Sequence, residues 1–197
     1  MALTAAPIPE RPPVPPYPYQ NGITEMVLWE DGCAEPEIAD LLCALLRASG
    51  HRTVLETGAF TGYTTTKLAW TLEQMGGGRV VACDMDAGRA ANVQAALERC
   101  AIPTVSWEVM ASDVLVVIAG LADESVGFVF VDDDHTKAHV AEEIRALLPK
   151  MAPRGIICFH DVYGVTDLQE VVLAAGGYAL DLPKLGPAGG LGIIQVL

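Results

Sequence analysis

The sequence predicts an α/β domain, a mostly parallel sheet layered between helices, and three observations carry that expectation. From residue 35 onward, short apolar strand signals alternate with helical stripes, the order that parallel strands joined by crossover helices require. The run Val126 to Val131 is apolar throughout, as a strand buried on both faces must be. The 197 residues, 51% of them hydrophobic, supply one substantial core without room for a second full domain.

Residues 1–20 stand apart. The first 19 hold seven of the 13 prolines and only Glu10 and Arg11 as charges, which is neither the basic start nor the apolar core of a secretory signal. Such an arm is either a tail or a polyproline segment whose Tyr17 and Tyr19 pack on a neighbouring subunit or over the active site. Residues 21–197 form the single domain. Glu35 to Ser49 puts Ile38, Leu41, Leu42, Leu45 and Leu46 on one helical stripe, and Gly50 ends it. A strand over Thr53 to Thr57, a helix from about Gly62 to Gln74, the Gly76 to Gly78 turn and a strand over Arg79 to Asp84 follow. The next helix starts at Asp86, its natural N-cap, with Ala90, Val93, Leu97 and Cys100 on one face. Val105, Trp107 and Val109 alternate as a third strand, and Ser112 or Asp113 caps a short helix. After the fourth strand, Val140, Ile144, Leu147 and Leu148 mark a helix, and Gly155 to Phe159 is a fifth strand. Tyr178 to Leu182 and Leu191 to Leu197, joined by Pro183 to Gly190, form a closing antiparallel hairpin.

Charge and cysteine usage narrow the function. A net charge of −13 and only 12 Lys and Arg oppose the electrostatic footprint of a nucleic-acid binder and favour a small-molecule substrate. No run approaches the roughly 18 apolar residues of a membrane span. Cys33, Cys43, Cys83, Cys100 and Cys158 are odd in number and have no C-x-x-C spacing, so they read as reduced core residues of a soluble cytoplasmic protein.

The most informative segment is Thr53-Val-Leu-Glu-Thr-Gly-Ala-Phe-Thr-Gly-Tyr-Thr-Thr-Thr-Lys67, a strand, an acid, two glycines and a helix start. Its Gly-x-x-x-Gly spacing fits neither a dinucleotide fingerprint nor a P-loop. Val54 to Thr65 resembles motif I of class I S-adenosylmethionine-dependent methyltransferases, above all the small catechol and caffeoyl-CoA type O-methyltransferases and related bacterial small-molecule enzymes. The resemblance covers roughly Ala34 to Asp161. It implies a Rossmann-like three-layer sandwich with a seven-stranded, mostly parallel sheet. It also implies that Glu56, Gly58, Phe60, Gly62, Tyr63 and Thr64 contact S-adenosylmethionine, the glycines shaping its methionine end and Thr64 holding its carboxylate. A helix start favours an anion independently of any family. Asp84 closes the second strand where an acid can accept both ribose hydroxyls; by the same resemblance Met85 matches the family's apolar contact to adenine, and Ser112 and Asp113 fall on the segment that borders the ring, unless Ser112 is only a helix cap.

Chemistry is expected at two acidic strand ends, Val131-Asp-Asp-Asp-His-Thr-Lys137 and Phe159-His-Asp161. Adjacent carboxylates repel, and a divalent cation offsets that repulsion. By resemblance, Asp132, His160 and Asp161 hold the cation, with Asp132 also near the cofactor. In the family the pair after strand five is Asp-Asn, so His160 shifts the preference from Mg²⁺ toward Mn²⁺ and its neighbours. His135 aligns with the family's catalytic lysine and is the expected base, with Lys137 as the alternative and His160 another if no metal binds. Asp133 and Asp134 are either helix caps or ligands; His139 either faces solvent or pairs with His135 on a metal. The expected activity is methyl transfer from S-adenosylmethionine to a hydroxyl of a small molecule with a Mg²⁺ or Mn²⁺ cofactor, and dimerisation is a family expectation. The competing readings are a nicotinamide-dependent reductase and a noncatalytic binding protein on the same fold.

Overall fold

The computed structural model describes residue 27 and residues 32–163, 168–180 and 189–196. The proline-rich arm, residues 164–167 of the loop after the fifth strand, and residues 181–188 lie outside the described residues. The elements run α1 (Pro36–Ser49), β1 (Thr53–Thr57), α2 (Tyr63–Gln74), β2 (Gly78–Asp84), α3 (Ala87–Arg99), β3 (Val105–Ala111), α4 (Val114–Gly120), β4 (Val126–Val131), α5 (Lys137–Leu147), β5 (Met151–His160), α6 (Gln169–Ala174), β6 (Tyr178–Leu180) and β7 (Leu191–Gln195).

The strands form one sheet in the order β3-β2-β1-β4-β5-β7-β6. β1 to β5 are parallel, while β7 runs antiparallel to both β5 and β6. The closing hairpin therefore folds back so that its second strand joins the sheet and its first becomes the edge. Alternation along each strand makes the three layers. Val54, Val80, Phe128, Phe130 and Cys158 point to one face and pack on Ile38, Leu42 and Leu46 of α1, Leu68 and Leu72 of α2, and Val93 and Leu97 of α3. Their neighbours Leu55, Val81, Val129, Ile157 and Phe159 point to the other and meet Val117 and Ile118 of α4 and Val140, Ile144 and Leu147 of α5. Each Leu or Ile so buried stabilises the fold by about 1.5–3 kcal/mol.

Two expectations are corrected, and one element is new. Leu148 is not a core residue: the chain tightens into a 3₁₀ turn over Leu148–Lys150 around Pro149, and Leu148 is 42% exposed. β5 starts at Met151 rather than Gly155, and its pairing with β4 shifts register between Val126 and Phe128. α6 had no sequence expectation, because six residues with one buried anchor, Val172, are too short for a 3.6-residue period to show.

This order fixes where a ligand can bind. β1 leads outward to β2 and β3, then the chain returns to lay β4 against the other side of β1. The carboxyl ends of β1 and β4 flank the resulting crevice, the switch point where open α/β sheets bind ligands.

Candidate active site

The crevice is shaped by the turn from β1 to α2. The amides of Gly58 and Ala59 both donate to the Cys83 carbonyl at 3.0 Å, and that of Phe60 donates to Asp84 Oδ2 at 3.0 Å. Asp84 Oδ1 accepts from the Asp86 amide at 2.9 Å, so one carboxylate ties the end of β2 to the glycine turn. Gly58 has φ +73°, and a Cβ there would stand 2.1 Å from the Asp132 carbonyl oxygen. Phe60 adopts φ 48° and Asp161 φ 51°, two non-glycine residues in the left-handed region, both bordering the crevice. Gly62, φ 85°, starts α2 without a side-chain cap, which leaves the positive end of that helix available.

A cavity of about 770 Å³ opens here. Of the expected cofactor contacts, Gly58, Phe60, Asp84, Met85, Ser112, Asp113 and Asp132 line it. Glu56, Gly62, Tyr63 and Thr64 lie behind the lining. The Tyr63 hydroxyl accepts from Lys67 Nζ at 3.2 Å, and Thr64 is buried in the first turn of α2. Glu56 is buried with Oε2 unpartnered among the described residues; burial, with the Asp132 charge adding to it, pushes its carboxyl up to about 8. Asp113, not Ser112, caps α4 by accepting from the Leu115 amide at 2.8 Å, and Asp86 caps α3 as expected.

The polar end of the cavity comes from β4 and β5, which pair through Val131 and Phe159 and so bring Asp132 beside His160 and Asp161. His160 Nδ1 lies 3.0 Å from Asp132 Oδ1 and 3.4 Å from Asp161 Oδ1, while Nε2 lies 2.8 Å from Glu35 Oε2. Burial alone would lower the pKa of His160, but Asp132, Asp161 and Glu35 outweigh it and hold the imidazolium up to about 12. A ring that already carries two protons accepts no third, so His160 is not a base in the metal-free protein. His135 Nε2 is 3.3 Å from Asp132 Oδ1 and Nδ1 is 3.9 Å from Asp161 Oδ2. Asp132 raises the pKa of His135 against the opposing effect of burial. Burial likewise pushes Asp132 up, but the two histidines outweigh it and hold the carboxyl below its usual range. Lys137 is not gathered in: it opens α5 and pairs with Glu170 of α6 at 3.2 Å, outside the cavity lining.

Two residues of this site went unforeseen. Glu35, just ahead of α1, reaches His160 across 125 positions of sequence, and no local pattern announces such a contact. Arg89 of α3 stacks over the Phe60 ring at 4.8 Å on the cavity wall. Three readings of the segment after β4 also change. Thr136, rather than Asp133 or Asp134, caps α5 by accepting from the His139 amide. His139 does not face solvent; its Nε2 is 3.0 Å from Asp133 Oδ2. His135 and His139 do not share a site, since His135 joins Asp132 and His160 while His139 joins Asp133 and Glu143.

These buried groups set a pH dependence of stability. Glu56 rises from 4.5 to about 8, Glu143 from 4.5 to about 9, and His160 from 6.5 to about 12. In each case the folded chain keeps a proton that the unfolded chain releases, so the stability is fully present below the unfolded value and is lost as pH rises through the folded one. The metal-free protein is therefore expected to melt several degrees higher near about pH 5.5 than near about pH 8.5. Thermal melts across that range check this, and Glu56→Gln should flatten the slope.

Comparison with known proteins now adds to the geometry. No curated protein sequence matches the chain significantly. Among solved structures, the O-methyltransferase from Bacillus cereus in complex with SAH superposes with a TM-score of 0.66 at 22% identity, over 85% of this chain and 84% of that one. The O-methyltransferase TomG from Streptomyces achromogenes, involved in tomaymycin synthesis and bound to SAM, gives 0.65 at 22%, over 84% and 82%. A methyltransferase from Geobacter sulfurreducens gives 0.67 at 17%, over 84% and 81%. These likenesses establish the Rossmann-like fold. The sequence itself matches a family model described as a methyltransferase domain over residues 55–162, from β1 to just beyond β5. That span is more than half of the chain and holds the glycine turn, Asp84 and both acidic strand ends, and on it this protein belongs to the methyltransferase domain family.

Proposed function

We propose that this protein transfers a methyl group from S-adenosylmethionine to a hydroxyl of a small molecule, assisted by a divalent cation. The observation that carries the reading is the state of Asp84. Each of its oxygens accepts one backbone amide, and a carboxylate offers about four acceptor sites, so two remain toward the cavity for a ribose diol. Met85 beside it is 79% exposed on the cavity wall, an apolar surface suited to the face of a purine ring. The SAH and SAM held by two of the structural neighbours support the same reading.

S-adenosylmethionine supplies an electrophilic methyl carbon, so this chain's task is to hold the acceptor oxygen in line with it and remove its proton. His135 borders the cavity with its Nε2 3.3 Å from Asp132 Oδ1 and its Nδ1 3.9 Å from Asp161 Oδ2. When neutral, His135 accepts the hydroxyl proton, and Asp132 stabilises the imidazolium that results. The residues present also fit a cation. Asp132, His135 and His160 each aim one donor atom into a sphere whose members lie within 4.8 Å of one another, and Asp161 adjoins them. We assign Asp132, His160 and Asp161 as ligands, with the His135 imidazole beside Asp132 next to them. An imidazole among the carboxylate ligands favours Mn²⁺, Co²⁺ or Zn²⁺ over Mg²⁺. When bound, such an ion lowers the pKa of a coordinated hydroxyl.

Calorimetric titration with S-adenosylhomocysteine tests the assignment. Micromolar binding is expected, weakened about 10–100-fold in Asp84→Asn, the loss of a charged hydrogen bond worth about 1.5–3 kcal/mol. No binding by the native chain, or equal binding by the variant, would sink it. Chelation is expected to lower turnover, with Mn²⁺ restoring more than Mg²⁺; full activity in strong chelator would leave His135 as the sole means of deprotonation. The five free cysteines support a reducing, cytoplasmic setting, and no helix among the described residues is long and apolar enough to cross a membrane.

A further inference from the structure

A second cluster of donors lies beside the first without sharing a residue with it. Asp133 follows Asp132 at the end of β4, and His139 and Glu143 sit one turn apart on α5, on the side of the helix that faces the sheet. His139 Nε2 is 3.0 Å from Asp133 Oδ2 and 4.0 Å from Glu143 Oε2. Glu143 is 0% exposed, and neither of its oxygens has a hydrogen-bond partner among the described residues; Asp133 Oδ1 is likewise unpartnered. A buried polar group without a partner costs free energy unless something unseen satisfies it, even when it keeps the proton that burial and Asp133 hold on Glu143 in the metal-free chain.

Packing and capping do not account for it. Thr136 already caps the helix, and a glutamate at the sheet-facing position of α5 stands among Val140, Ile144 and Leu147, where an apolar side chain would serve packing better. The acid at 133, the imidazole at 139 and the acid at 143 instead place three donors, one from each residue, within 4.8 Å. Ligands at about 2.1 Å around a tetrahedral ion stand about 3.4 Å apart, and the 3.0 and 4.0 Å separations from His139 to Asp133 and Glu143 bracket that spacing. Asp133 and His139 line the cavity, so the open coordination positions face it.

We propose that Asp133, His139 and Glu143 form a second divalent-metal site, for a transition ion of the Zn²⁺, Co²⁺ or Mn²⁺ class. One imidazole with two carboxylates suits these ions and not Mg²⁺. The site is independent of the methyl-transfer reading and of the Asp132 cluster, because none of its three ligands belongs to that cluster.

Co²⁺ titration of the chelator-stripped full chain tests it, read by visible absorption and by calorimetry. His160→Gln weakens the first cluster, so that the further effects of His139→Gln and Glu143→Gln report on the second. In that background one Co²⁺ per chain is expected at micromolar affinity, with a metal-dependent rise in melting temperature. Adding His139→Gln, a partly exposed position, should weaken that binding by more than the roughly 10–100-fold that loss of an outer-shell partner costs. Glu143→Gln keeps the shape of the buried side chain and should do the same. If His160→Gln binds no Co²⁺ below millimolar concentration, or if His139→Gln and Glu143→Gln leave both stoichiometry and affinity unchanged, the site does not exist.

Discussion

Replacing His135 by Gln is expected to lower kcat by roughly 10²–10⁴-fold, the range that a positioned general base contributes. Glutamine keeps the size and polarity of the side chain but cannot accept a proton. Because the Asp132 carboxylate at 3.3 Å raises the pKa of His135 above 6.5 despite partial burial, the metal-free enzyme should gain activity with rising pH through a value above that figure. The variant should lose that limb of the profile while binding S-adenosylhomocysteine as the native chain does, since His135 lies at the polar end of the cavity and Asp84 closes β2. Turnover against pH, measured with any acceptor that supports it, checks both points. A surviving limb in His135→Gln would move the base elsewhere, and His160 is not the alternative without metal, because its ring is already held protonated by three carboxylates.

The second large effect concerns the backbone rather than a catalytic group. Gly58→Ala is expected to destabilise the protein by about 2–5 kcal/mol, about 1–2 from the left-handed φ of +73° and about 1–3 from overlap with the neighbouring loop. The added methyl would sit 2.1 Å from the Asp132 carbonyl oxygen and 2.8 Å from Asp133 Cα, which are main chain and cannot swing aside. For a chain of this size, about 3 kcal/mol corresponds to a fall in Tm of roughly 6–12 °C. Gly62→Ala is the internal control. It shares a positive φ, +85°, but its nearest neighbour is Val93 Cα at 3.3 Å, so it should cost little beyond the backbone strain. Equal melting temperatures for the two variants would show that the β1 and β4 loops are not in contact at Gly58. Any displacement of Asp132 in Gly58→Ala should also weaken the proposed metal binding, because the same residue closes on Gly58 and faces His160.

Much of this architecture was legible because local rules suffice for it. The stripe of Ile38, Leu42 and Leu46, the uninterrupted Val126–Val131 run and the Asp86 cap are set by periods of 3.6 and 2 and by capping chemistry, which act within one turn or one strand. The same holds for Gly58 and Gly62, whose positive φ values a strand-to-helix turn of this kind demands. Leu148 misled because its spacing continues the α5 stripe, while Pro149 ends the helix there. α6 stayed hidden because it is too short to have a period.

The sequence by itself determined the family, the alternating order of elements and the residue types at the ends of β1, β2, β4 and β5. It could not determine which of those ends meet. Only the sheet order places β4 between β1 and β5, so that Asp132 touches the Gly58 turn on one side and His160 on the other. Only tertiary packing brings Glu35 to His160, sends Lys137 away to Glu170, and divides Asp132, Asp133, His135 and His139 between two clusters. The physical reason is that side-chain chemistry is written locally, whereas proximity between distant segments is decided by which apolar faces are buried together. In this chain the reactive groups are carried along by that burial.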